Sequence, residues 1–170
     1  MNTENKMSTE LHDFEDGNGP VRAARHYNGG GWVACTARVD PSAQVSGDAQ
    51  VFGNARVYGN ARVYDNAQVF GNAQVSGDAL VFGNAWVSGD AQVFDNARVY
   101  GDTLVSGNAQ ISGKAWISGD ALVFGNAQVY GDALVFGNAW VSGKAQVSGK
   151  TQVYGDAQVY GNAWVYGDGR

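Results

Sequence analysis

From Val33 to Arg170 the sequence repeats every six residues and never slips. Twenty-three consecutive hexads run from Val33-Ala34-Cys35-Thr36-Ala37-Arg38 to Val165-Tyr166-Gly167-Asp168-Gly169-Arg170 without insertion or deletion. The first position is Val except at Ile111 and Ile117, and the fifth is Ala except at Thr103, Thr151 and Gly169. The third is usually Gly and the fourth mostly Asn or Asp. A period this short restricts the chain to folds in which each unit makes the same bend and hides its apolar residue against its neighbours.

Each column has a physical meaning. In the run Ala-x-Val-y, Ala and Val alternate with x and y, so they share one face of a short strand. The Gly-Asn or Gly-Asp that follows adopts positive φ at little cost and turns the chain. One small and one branched inward residue per strand suits a narrow interior where three strands converge. A two-sided hairpin sheet is the rival arrangement, but identical turns every six residues fit a coil that always bends the same way. Successive coils then stack by parallel pairing, about 4.8 Å per turn.

The pattern resembles the hexapeptide-repeat family, whose unit is an aliphatic residue, two turn residues and a small residue at fixed spacing. That resemblance covers residues 33–170 and implies an all-β, left-handed parallel β-helix. The expected shape is a triangular prism with 18 residues per coil, so that residue i lies over i+18, and about seven and two-thirds coils. The hand comes from the resemblance alone, because parallel crossovers are ordinarily right-handed. Residues 1–32 lack the repeat and form a separate tail and cap. The first ten or so are polar and expected to be disordered, while the rest covers the open edge of the first coil. The last coil, ending Tyr166-Gly167-Asp168-Gly169-Arg170, has no comparable segment and is expected to need shielding.

Composition narrows the function. A net charge of −5 and a pI near 4.8 disfavour a nucleic-acid or anionic-membrane surface, either of which needs a basic field. The lone Cys35 permits no internal disulfide and stands at a turn position as a substitute for Gly or Asp. No signal peptide and no membrane-spanning run is visible, so a cytoplasmic or virion location is expected. Acyltransferases that share such coils use a histidine base near an interrupting loop, with acyl-coenzyme A bound between subunits. Here the repeat has no histidine and no loop; His12 and His26 both lie in the N-terminal segment. The zinc-dependent carbonic anhydrases of this family need three histidines. No catalytic residue, metal or cofactor is therefore assigned, an acyltransferase stays as an alternative to the non-enzymatic reading, and the local run His12, Asp13, Glu15, Asp16 is a poor metal set. An ordered Thr face for ice binding is also missing.

Function must lie in the outward columns. With i+18 stacking, one face carries Trp86, Leu104, Leu122 and Trp140 in an unbroken stripe, with Phe124 beside it. Four large apolar residues in a line exceed the scattered singles of an ordinary surface and mark a partner-binding seam. The resemblance implies a homotrimer with parallel axes and, for a long loop-free rod, a polymer-forming, phage-associated or cell-surface assembly. A second face carries Gln74, Gln92, Gln110, Gln128 and Gln146, expected to form an amide ladder, beside Tyr58, Phe94 and Tyr130. A third includes Tyr64 and Tyr100. These five aromatics are candidate ligand-binding residues for a polysaccharide, the alternative partner to another structural protein. Along one corner Asp78, Asn96, Lys114, Asp132, Lys150 and Asp168 alternate in charge and are expected to pair; along another, Asp102 lies over Asp120, where a cation has two carboxylates to meet.

Overall fold

The computed structural model describes residues 8–168 and is an all-β, three-sheet parallel solenoid of about eight turns. Each hexad contributes one short strand, and strands three hexads apart pair in parallel, as in Gln50 with Gln68 and Trp86 with Leu104. The sheets therefore contain ten, eight and seven strands, the first enlarged by two strands from the N-terminal segment. The 18-residue register implied by the resemblance holds along all three sheets. Of the first ten or so residues, where disorder was expected, 1–7 lie outside the described residues and Glu10 already begins a paired strand.

The interior follows from the repeat. From Ala43 to Val147 every first- and fifth-position residue has no exposed surface, apart from Thr103 at 1%. Each buried Val is worth roughly 1.5–3 kcal/mol before entropy is subtracted. A single coil cannot hide its own Val, so this stabilisation exists only between coils. Thr103, Ile111 and Ile117 enlarge the interior of a single coil, and the Thr103 hydroxyl is buried there without a hydrogen-bond partner.

The turns explain the third column. Gly107 has φ of 67°, and a Cβ on it would sit 2.9 Å from both the N and the O of Gly125 in the next coil. Asp65 and Asp95 occupy the same position with φ of 60° and 59°. Their carboxylates accept hydrogen bonds from the N–H groups of Gly83 (3.3 Å) and Gly113 (3.1 Å), one coil further on. A charged acceptor thus offsets the cost of a side chain in the left-handed region.

The amide ladder forms, but at the corners and not on the Gln face. Wherever Asn in the fourth column has Asn or Asp 18 residues later, its Nδ2 donates to the Oδ1 above, as from Asn66 to Asn84 (3.0 Å) and Asn84 to Asp102 (2.7 Å). Seven such bonds occur among the described residues. Asn96 and Asn126 lie below Lys114 and Lys144, which have no acceptor, and the ladder stops there. The short Asn side chain on a fixed turn holds its amide at the coil spacing, whereas Gln has a further rotor to order. Among the described residues no hydrogen bond joins one face Gln to the next; Gln74 and Gln146 instead accept from the hydroxyls of Tyr58 and Tyr130 (3.0 and 3.4 Å). The expected corner charge pairing also fails at Lys114 and Asp132, which form no ion pair within 4.0 Å.

The N-terminal segment builds a lid on the first sheet. Strand β1 (Glu10–His12) pairs antiparallel with β2 (Val21–Arg25), and β2 pairs antiparallel with β3 (Trp32–Ala34), the first strand of the solenoid. Phe14, Ala23, Ala34 and Phe52 form a small second core beneath this hairpin.

Candidate functional site

Three flat faces are available, and the repeat decides what each displays. On the first sheet Trp86, Leu104, Leu122 and Trp140 stand in direct register. Trp86 and Trp140 are 48% and 45% exposed; the two leucines between them are half-buried. Each Trp has Ser as its outward neighbour, Ser88 or Ser142, and leans across that gap edge-on to a Phe. The centroid distances are 6.2 Å to Phe70 and 6.4 Å to Phe124. Phe124 therefore props Trp140 in place. The stripe is apolar, preorganised and accessible.

On the third sheet the rings stack on one another. Tyr64, Phe82 and Tyr100 lie 4.8 Å apart with planes within 5° of parallel, so Tyr64 and Tyr100 spend ring faces on Phe82. Burial, then the Asp65 carboxylate, raises the Tyr64 phenol above its ordinary pKa. Further along, the Arg98 guanidinium covers the Trp116 ring at 4.8 Å. On the second sheet Tyr58, Phe94 and Tyr130 are separated by Ser76 and Ser112, so no ring has an aromatic directly above or below it. The ring faces flank slots instead, and the one between Tyr58 and Phe94 is a cavity of about 280 Å³.

Both histidines serve the lid. The His12 ring stacks on Trp32 at 4.0 Å and meets Phe14 edge-on at 4.7 Å. His26 is 4% exposed, with Nδ1 3.3 Å from the Asn28 carbonyl. In each, Nε2 is buried without a partner. Burial lowers both pKa values; at His12 Arg25 adds to this against Glu10, Asp13 and Glu15, and at His26 the Asn28 carbonyl opposes it. Folding therefore favours the neutral rings. The unfolded segment takes up protons below about pH 6.5, so this part of the lid's stability is full above that pH. It is lost as pH falls from there through the folded-state values. Hydrogen-exchange protection of residues 21–34, corrected for intrinsic rate, is expected to drop between pH 7 and 5. The limit is about tenfold per histidine per pH unit, with residues 85–140 unchanged. Equal behaviour of the two regions would refute this.

Among the described residues no group of three or more His, Cys, Asp or Glu side chains is placed to hold a metal ion. Asp102, over which Asp120 lies, already accepts from Asn84. No helix of the described residues is long and apolar enough to cross a membrane. Cys35 is an exposed free thiol at a turn, its N–H bonded to the Arg22 carbonyl.

Three sheets of parallel, mostly two-residue strands, joined by a turn every six residues, define a β-solenoid repeat protein. The chain belongs to the family described as the YdcK β-solenoid repeat, whose model matches residues 49–65, 55–71, 73–89, 91–107, 127–143, 151–167 and 157–170. These segments together cover more than half of the chain. Each begins at the inward fifth position, at Ala or at Thr151, and spans nearly one coil. No curated protein and no solved structure matches the chain.

Proposed function

We propose that this solenoid is a non-enzymatic structural scaffold that assembles through the flat face of its first sheet as a parallel homotrimer, within a larger particle. The observation that carries the reading is the stripe of Trp86, Leu104, Leu122 and Trp140, in register and with both indoles nearly half exposed. Aromatic anchors at the centre of a flat apolar patch dominate the energetics of protein interfaces. A cap in which both imidazoles are packed against the lid supports a structural role for the only histidines. Sedimentation equilibrium at micromolar concentration tests the seam. The wild type is expected at three times the chain mass of 17.9 kDa, and Trp140→Glu, which places a charge in the seam without touching the interior, is expected to weaken association at least about tenfold. A monomeric wild type, or a variant of unchanged mass, would overturn the reading.

A further inference from the structure

The second sheet carries a different device. In the other two sheets neighbouring rings stack along the axis, Phe52 on Phe70 at 4.9 Å and Tyr64 on Phe82 at 4.8 Å. Here Tyr58, Phe94 and Tyr130 recur every second coil, about 9.6 Å apart at the strand spacing, with Ser76 and Ser112 between. A ring inserted midway in such a slot lies about 4.8 Å from each wall, the separation this chain already uses for its own stacks. The Tyr58 and Tyr130 hydroxyls are tied to Gln74 and Gln146, which fixes those rings before any partner arrives. The slot at Ser76 is open, at about 280 Å³, and is walled by Gln74 and Gln92 as well as by the two rings. The two-coil spacing continues to Tyr166, but the slot between it and Tyr130, at Ser148, is already covered (7% exposed).

We propose that this face docks a second copy of the chain, antiparallel, in a ring-into-slot zipper. A two-fold axis parallel to the strands, midway between the levels of Phe94 and Ser112, turns the second rod end for end and keeps like column on like column. Phe94 then enters the slot at the partner's Ser112, and Tyr130 enters the slot at the partner's Ser76; both contacts occur twice. The same operation sets Arg56 against the partner's Gln146 and Arg38 against the partner's Trp164, a cation over an exposed indole. A parallel pairing about the long axis would oppose rings to the Gln and Arg column and leave the slots empty. A second copy fits better than an unrelated ligand because the occupant must itself present rings at a two-coil spacing, and this column does. The interface is isologous and closes on itself. Its flat footprint is roughly 500 Å² per copy from strand spacing and rise, at the small end of specific interfaces, so association should depend on concentration.

This surface is separate from the Trp seam, and the test keeps them apart by working in the full chain with Trp140→Glu, which disables that seam. Sedimentation velocity from about 5 to about 500 µM is expected to show a monomer–dimer equilibrium. Ser112→Phe fills the slot with a ring that stacks on Phe94 as Phe52 does on Phe70, so folding is retained, and dimerisation should weaken at least about tenfold. Adding Phe94→Ser to it exchanges ring and slot on both copies and should restore the wild-type dissociation constant to within about threefold. A chain that stays monomeric throughout, a Ser112→Phe dimer of unchanged affinity, or a double variant that stays monomeric would each overturn the zipper. Monomers that bind a glycan through Phe94 would overturn it in favour of a sugar site.

Discussion

Val105→Asp is expected to cost at least about 4 kcal/mol and to split the solenoid into two separately melting parts. Val105 has no exposed surface and pairs in register with Val87 below and Val123 above. A carboxylate there faces an interior of Val, Ile and Ala, with no cation and with the Thr103 hydroxyl as its only polar company. Val105→Ala, which only removes methyl groups, should cost about 2 kcal/mol. In a linear array the damage also depends on position, because a coil is held from both sides and an end coil from one. Val159 is only partly buried, and Val159→Asp should therefore cost less than half as much as the central substitution. Urea denaturation followed by near-ultraviolet circular dichroism measures the series, and limited proteolysis should open the turns near residue 107 in Val105→Asp alone. Equal costs at Val105 and Val159 would show that the coils do not behave as a stack.

That both residues point inward was readable from the hexad itself, since a Val–Ala pair recurring every six residues with few exceptions leaves little else to be inside. The stacking of Trp86, Leu104, Leu122 and Trp140 was equally legible, because it requires only the 18-residue register. What the columns hid was side-chain detail at one coil spacing. Gln and Asn look equivalent as ladder formers, yet only the turn-borne Asn bonds to its neighbour, because its backbone is already fixed. Alternating Lys and Asp suggested pairing, but Lys114 and Asp132 stay apart; two exposed, flexible groups gain too little from contact to offset their ordering. The β1–β2 hairpin lies outside the period, and no repeat argument could have placed His12 on Trp32. The difference between stacked rings on the third sheet and open slots on the second was present in the sequence as Tyr-Phe-Tyr against Tyr-Ser-Phe-Ser-Tyr. It becomes meaningful only once the 4.8 Å separation of real stacks is known.

Gly107→Ala is expected to destabilise the solenoid by about 2–3 kcal/mol, although it adds a single methyl group to an exposed turn. Two costs combine. The first is the left-handed backbone, φ of 67°, which disfavours any residue with a Cβ by about 1–2 kcal/mol. The second is contact, since the new methyl meets the N and O of Gly125 at 2.9 Å. That crowds the turn where the N–H of Asn108 donates to the Gly125 carbonyl at 2.7 Å. Gly155 separates the two, because it has φ of 63° but nothing within 4 Å of where a Cβ would sit. Gly155→Ala should carry the backbone cost alone, about 1 kcal/mol. Gly107→Asp should fall between them despite its greater bulk. Asp95 occupies the equivalent position and recovers part of the strain through its bond to the Gly113 N–H at 3.1 Å, and an Asp at 107 can reach the Gly125 N–H in the same way. Urea midpoints of the three variants decide the matter. An Ala at 107 no worse than an Ala at 155 would remove close coil packing as the reason for Gly in this column, and an Asp worse than Ala at 107 would remove the carboxylate clasp.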